Sequence, residues 1–312
     1  MRAWHFTATH EPLVMVDKPD PVPGAGEVLL DVRAAGLCHS DVGMLEDPKW
    51  MAQIPSVPVV PGHEIAGVVA AVGAGVTGFA PGDRVVVNPM TSGSGFRRDG
   101  GFAERAISPA ASLIRIPDAL SFPLAAIATD AGMTSHGAVI GSGRVKAGDK
   151  VGIIGFGGLG QIGTRVAVLA GAEVYVAEIN ETVWPLAQAA GAVRVARDIS
   201  EFADCALDVI VDFAGFGTTT AAALETVRRG GRVVLVGMGR LETTINTYPL
   251  IVGRRELVGN AGGDENDIES VMRLMAAGQV TPAIEEIRFE QIGDGIDRLQ
   301  RGVVRGRLVT VF

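Results

Sequence analysis

From residue 150 onward the chain alternates short apolar runs with alanine-rich stretches, and the first run leads into Gly155-Phe156-Gly157-Gly158-Leu159-Gly160. The runs cover residues 151–155, 174–178, 207–212, 232–237 and 256–260, with a weaker one at 193–196. Strands covered by helices on both faces read as unbroken apolar runs. Their alternation with helices therefore predicts an α/β architecture built on a parallel, doubly wound sheet. Six strands complete that kind of sheet.

The glycines gain meaning from this context. At the end of a strand and the start of a helix, Gly155 makes the tight turn, Gly157 lets the backbone approach a pyrophosphate, and Gly160 lets helix and strand pack closely. The helix N-terminus adds unpaired N–H donors and a partial positive charge. Glu178, closing the next strand, is placed to accept hydrogen bonds from an adenine ribose and to repel a 2′-phosphate. Positions 179–183 carry no basic residue to hold that phosphate, so the expected dinucleotide is NAD(H) rather than its phosphorylated form. A solvated strand-end glutamate is the plainer reading of Glu178.

Residues 1–130 have a different texture. They are rich in Pro, Gly and Val, with strand-like runs at 28–32, 65–69 and 84–87 bracketed by turn formers, which predicts a small, mostly antiparallel barrel or folded sheet with long loops. The last fifty residues offer a helix over 267–277 and a strand ending at Phe312. They are expected to rejoin the first domain, because the six-strand sheet is complete before them. At 312 residues the chain exceeds a comfortable single core. The expected domains are 1–131 with 262–312, and 132–261.

Three metal-ligand residue types lie far apart, each in a loop-like segment: Cys38 in Gly36-Leu37-Cys38-His39-Ser40-Asp41, His63 in Pro61-Gly62-His63-Glu64, and Asp130 in Ala128-Thr129-Asp130-Ala131. Structural zinc sites take tight Cys or His clusters, whereas catalytic sites take three protein ligands and keep one position open. The dispersal suggests the second kind. Asp130 read alone is a helix N-cap, and His63 read alone is an ordinary buried histidine. The only cysteines are Cys38 and Cys205. A disulfide between them is possible in principle, but a metal role for Cys38 excludes it and points to a reducing compartment, hence the cytoplasm. A net charge of -8 leaves no basic face for nucleic acid, and no apolar stretch reaches the roughly 18 residues a membrane span needs.

With these residues together, the chain resembles the zinc-dependent medium-chain dehydrogenase/reductase family of the alcohol dehydrogenase type. The segments that carry the likeness are residues 36–41, Pro61-Gly62-His63-Glu64-Ile65-Ala66-Gly67, Gly82-Asp83-Arg84-Val85 and the glycine turn. The resemblance implies a GroES-like catalytic domain followed by a Rossmann domain. It also implies an oxidoreductase that moves hydride between NAD(H) and an alcohol/ketone pair, with a secondary or hydrophobic alcohol expected.

The resemblance assigns residues as well. Cys38, His63 and Asp130 would hold Zn2+, Glu64 would approach it, and Asp41 would orient His63. Ser40 would take the substrate's hydroxyl proton, Thr134 would touch the nicotinamide, and Arg307 would pair with the pyrophosphate. The chain departs from the family twice. Residues 88–101 hold no cysteine where relatives carry a structural-zinc lobe, so one zinc per chain is expected. Gly43 occupies the position of the relay histidine, leaving His39 or bulk water as the final proton acceptor.

Trp50, Met51, Met90 and Phe96 could line a hydrophobic substrate pocket or belong to an ordinary core, and His136 could edge that pocket. Family members pair through edge strands, so a homodimer or homotetramer is expected. A zinc-free enone or quinone reductase, a dehydrogenase for a cyclic or thioester-linked alcohol, and a noncatalytic nicotinamide-binding sensor stay open on the same scaffold.

Overall fold

The computed structural model describes every residue from Met1 to Phe312 and divides into two units: Met1–Asp130 with Met272–Ala276 and Ala283–Phe312, and Ala131–Val271 with Ala277–Pro282. In the first unit β1 (Arg2–His5) and β2 (Val14–Asp17) form an antiparallel ribbon. The larger sheet contains β3 (Glu27–Leu37), β4 (Glu64–Val72), β5 (Arg84–Val87), β6 (Arg105–Pro109), β7 (Leu113–Arg115), β14 (Ile284–Arg288) and β15 (Arg307–Val311). Its order is β14-β15-β3-β4-β5-β7, with β6 also on β3.

Strand β3 organises this sheet. One edge pairs with β4 from Val28 to Gly36, and the other is shared by β6, along Glu27 to Asp31, and β15, along Ala34 to Leu37. Alternate residues such as Val28, Leu30 and Val32 are buried with Ile65, Val69, Val85 and Phe102 in one core. The helix Ile292–Gln300 links the parallel pair β14 and β15 and adds Ile292, Ile296 and Leu299, spaced to lie on one helical face.

The second unit contains β8 (Lys150–Ile154), β9 (Glu173–Ala177), β10 (Ala192–Ala196), β11 (Val209–Asp212), β12 (Arg232–Leu235) and β13 (Glu256–Gly259). All pairings are parallel, in the order β10-β9-β8-β11-β12-β13. This is the 3-2-1-4-5-6 order of a dinucleotide-binding sheet, and its direction of winding switches between β8 and β11. The weak run at 193–196 is the bulged edge strand β10, with Val193 exposed.

Residues 262–271 belong to the second unit, not to the returning segment expected from 262 onward. Asp267 explains this correction. Its carboxylate accepts from the Asp264 backbone N–H at 2.9 Å, stands 2.5 Å from His136 Nδ1, and so ties the helix Glu265–Ala276 to the segment that opens the unit. The chain joins the first unit at Met272–Ala276 and again from Ala283 to its last residue.

Candidate metal centre and dinucleotide turn

Sheet register explains how ligands far apart in sequence meet. Cys38 follows the last residue of β3, His63 precedes the first residue of β4, and Arg307 opens β15. Gly36 pairs with Glu64 and Leu37 with Leu308, so these three strand ends lie side by side. Gly36 is required there, since a β-carbon would overlap the Glu64 carboxylate. Asp130 arrives from a separate element, a wide π-helical turn at Ala128–Gly132. It therefore does not cap a helix start, and such widened turns recur at functional sites.

The donor atoms converge. Asp130 Oδ2 lies 3.4 Å from both Cys38 Sγ and His63 Nε2. With Glu64 included, the four side chains present ligand atoms all within 4.8 Å of one another. Ser40 Oγ is 3.3 Å from His63 Nε2. On the other side of the ring, Asp41 Oδ1 stands 3.5 Å from His63 Nδ1, while Asp41 Oδ2 accepts from the Cys38 backbone N–H at 2.9 Å. One carboxylate thus orients the imidazole and fixes the turn that carries the thiol, as outer partners of metal ligands commonly do.

The charge of this cluster is uneven. Asp41 and Glu64 are buried, Asp130 and Cys38 are largely covered, and Arg307 is the one permanent cation among them. Burial pushes the Glu64 carboxyl up to about 7 although Arg307 pulls the other way, and Asp130 adds to the rise. Burial also works against charge on Asp130 and His63. His63 and Arg307 nevertheless hold Asp130 well below the usual carboxylate range, and Asp41 with Asp130 and Cys38 holds His63 well above its ordinary value. Glu64 Oε2 is buried without a hydrogen-bond partner. A surplus of buried acceptors offering sulfur, nitrogen and oxygen fits a divalent cation of zinc's borderline softness.

Arg307 has a partner the sequence did not reveal. Its guanidinium is buried against the Glu64 carboxylate in the ligand cluster, with its pKa raised. His39 sits exposed in the first turn of the helix His39–Glu46. Desolvation, followed by the charge of Arg307, lowers its pKa. Cys38 and Cys205 are both free thiols, so the disulfide reading falls.

In the second unit the glycine turn has the three geometries its roles demand. Gly155 has φ +85°, Gly157 has open space where a side chain would project, and a β-carbon on Gly160 would overlap the Gly155 carbonyl oxygen. The helix Gly158–Leu169 starts immediately, bringing Gly158 and Leu159 into its first turn. Glu178 accepts from the Phe156 backbone N–H at 2.7 Å and the Asn180 N–H at 2.7 Å, so the residue expected to meet a ribose also braces the turn. Thr134 is buried in the helix Met133–His136, and its carbonyl accepts from Asn260 at 3.4 Å. His136 is engaged by Asp267.

Asp212 was not singled out by sequence. It ends β11 fully buried, and its carboxylate accepts from the Ala214 and Gly215 backbone N–H groups and from the Thr219 and Thr220 hydroxyls. Ala214 in that loop faces Gly155. A charged residue closing a buried strand, with two threonines seven and eight residues later, was the available signal.

Of the apolar candidates in the first unit, Trp50, Met51 and Phe96 pack on a satellite core of Phe6, Met44, Ile54 and Val59, while Met90 is 58% exposed on a short helix. No helix is long and apolar enough to cross a membrane.

Comparison with known proteins agrees with this architecture. Residues 24–118 match the family described as alcohol dehydrogenase GroES-like domain, and residues 158–277 match that described as zinc-binding dehydrogenase. An alcohol dehydrogenase of Geobacillus stearothermophilus is 30% identical, with 96% of each chain covered. Among solved structures, the alcohol dehydrogenase of Aeropyrum pernix superposes with a TM-score of 0.92 at 27% identity, covering 100% of both chains. The acetophenone reductase of Geotrichum candidum, solved with NAD, superposes at 0.89 with 28% identity, covering 100% of this chain and 97% of its own. The chain belongs to the zinc-dependent medium-chain dehydrogenase/reductase family. It is an oxidoreductase of the alcohol dehydrogenase type that uses Zn2+ and NAD(H).

Proposed function

We propose that this enzyme interconverts a secondary or hydrophobic alcohol and its ketone. Cys38, His63 and Asp130 would hold the zinc, with Glu64 beside them. The observation that carries the reading is the convergence of one sulfur, one nitrogen and one carboxylate oxygen next to the Ser40 hydroxyl. When bound, zinc supplies Lewis acidity at a substrate oxygen, and NAD(H) supplies the acceptor or donor of hydride.

The chain's own residues supply the rest. Ser40 Oγ accepts the hydroxyl proton of an alcohol and returns one to a ketone oxygen. Asp41 holds the His63 ring and the Cys38 turn in place. Arg307 neutralises Glu64 and so limits the negative charge buried around the donors. From Ser40 the proton leaves toward solvent through exposed His39. Gly155, Gly157, Gly160, Glu178 and Thr134 form the NAD(H)-binding set.

The direct test assays purified protein with NADH and NADPH against a panel of ketones, alongside zinc content per chain. Turnover with a preference for NADH supports the reading. Turnover by metal-free protein would point to the enone or quinone reductase chemistry of a zinc-free relative. We further propose a homodimer or homotetramer whose chains pair through the outer edge of β13, supported by exposed Leu257 on that strand and by Tyr248, Ile251 and Val252 on the preceding helix. Sedimentation of wild type and Leu257→Lys checks this; a monomeric wild type would overturn it.

A further inference from the structure

The backbone carbonyl of Thr134 is held from the end of the outermost strand of the parallel sheet. Asn260 follows the last residue of β13, and its backbone N–H extends the ladder by donating to the Leu235 carbonyl at 2.9 Å. Its side-chain Nδ2 donates to the Thr134 carbonyl at 3.4 Å and to the Gly262 carbonyl at 3.0 Å, while Oδ1 accepts from Ser142 Oγ at 2.8 Å. Two carbonyls can be met only by the NH2 end of an amide, and Ser142 supplies the donor that the oxygen end then needs. The amide is therefore fixed in one orientation. Ser142 is fixed in turn, because its carbonyl accepts from Arg232 Nη1 at 2.7 Å.

Thr134 lies in the helix Met133–His136, whose next two residues are tied to other parts of the same unit. Ser135 Oγ donates to the Leu159 carbonyl at 2.9 Å, in the first turn of the helix that follows the glycine turn. His136 engages Asp267 on the helix Glu265–Ala276. Asn260 adds the tie to the carboxyl end of β13. That end matters because a dinucleotide spans the two mononucleotide halves of such a sheet, across the switch point and outside the carboxyl ends of the strands. With Glu178 at the end of β9 as the adenine-ribose contact, the nicotinamide half falls on the side of β11, β12 and β13. Asn260 stands on that side.

We propose that Asn260 is a positioning residue for the nicotinamide half of NAD(H). It holds the Thr134 segment to the carboxyl end of β13, and Ser142 keeps its amide in the donating orientation. This rests on the placement of Thr134 in the NAD(H)-binding set above. An aspartate of nearly the same shape would set an acceptor against two carbonyls, leaving both without their donor and pushing the segment away. The pyrophosphate end is governed by the glycine turn and by the Ser135 bond to it, which that change does not touch. The effect should therefore appear at one end of the coenzyme only.

The test compares NADH with ADP-ribose, which keeps the adenosine and both phosphates and lacks the nicotinamide. Dissociation constants are measured by titration calorimetry on the full-length, zinc-loaded protein. In Asn260→Asp the Kd for NADH should rise about tenfold, equivalent to about 1.4 kcal/mol, while that for ADP-ribose should change by less than about twofold. Ser142→Ala removes the donor to Oδ1 and should act in the same direction by a smaller factor; it carries the comparison if Asn260→Asp does not fold. General damage to the unit would weaken both ligands alike. Equal weakening of NADH and ADP-ribose, or an NADH constant unchanged in both variants, would overturn the proposal. Thr134→Ala separates this failure from that of the parent reading. If it weakens NADH selectively while Asn260→Asp does not, the role of Asn260 falls and Thr134 keeps its place; if it leaves NADH binding unchanged, the placement of Thr134 falls and the proposal falls with it.

Discussion

The metal centre and the dinucleotide turn solve opposite problems. The turn is local: six consecutive residues, their backbone conformation and one helix N-terminus, with side chains largely absent. The candidate metal centre draws on residues 38, 63, 64, 130 and 307, and its proposed function lies in side-chain atoms brought together by strand register and a π-helical turn. A backbone site tolerates no added volume, whereas a side-chain site tolerates no change of donor. Substitutions should therefore separate the two cleanly.

The largest effect is expected from Cys38→Ser. Zinc should fall from about one per chain to near zero and turnover should disappear, a greater loss than the roughly 10–100-fold that removing an outer partner costs. NADH binding, followed by fluorescence, should persist. An active, zinc-free Cys38→Ser would break the comparison. Asp41→Asn sharpens it, with a fall of roughly 10–100-fold in zinc affinity or activity, since one carboxylate serves both His63 and the Cys38 turn.

Gly160→Val is the reciprocal case. Its side chain must displace the Gly155 carbonyl, so NADH binding should be lost and unfolding should become easier by about 1–3 kcal/mol, with the Cys38 centre still able to take up zinc. Loss of zinc in this variant would argue against independent sites. Glu178→Ala is milder. It removes the carboxylate from both the expected ribose and the Phe156 N–H, and should shift the NADPH to NADH ratio of kcat/KM upward by about tenfold.

The smallest effect concerns Asp267, which ties the helix after β13 into the second unit. Desolvation would raise its pKa, but the hydrogen bond from His136 and that from the Asp264 backbone hold it below the ordinary aspartate value. A depressed folded value means the contribution is present above the unfolded pKa and vanishes as pH falls through the folded one. Asp267→Asn should therefore cost about 1–2 kcal/mol in urea unfolding at pH 7, and the difference should shrink as pH falls below the ordinary aspartate range. An undiminished difference in acid would refute the role given to the Asp267 carboxylate.

The same contrast governs what could be read from sequence. The strands of the second unit and Gly155 to Gly160 were legible because an apolar run or a glycine spacing is a contiguous signal whose physics is local. Cys38, His63 and Asp130 were legible as residue types, but only β3–β4 register, set by two bulges, and the wide turn at Ala128 show that they converge. The Glu64–Arg307 pair spans 243 positions, and no local pattern announces it. Gly43 looked like the loss of a relay residue, and its packing against Trp50 appears only in three dimensions. The second unit's claim on residues 262–271 was missed for a similar reason, because the deciding contact joins Asp267 to His136 across 131 positions.

Zinc K-edge X-ray absorption on the full-length, zinc-loaded protein tests the central claim most directly. The account predicts one metal per chain with a single sulfur neighbour at about 2.3 Å and the remaining shell of nitrogen and oxygen at about 2.0–2.2 Å, and with the sulfur contribution lost in Cys38→Ser. A shell containing no sulfur, or a sulfur signal unchanged by that substitution, would contradict it.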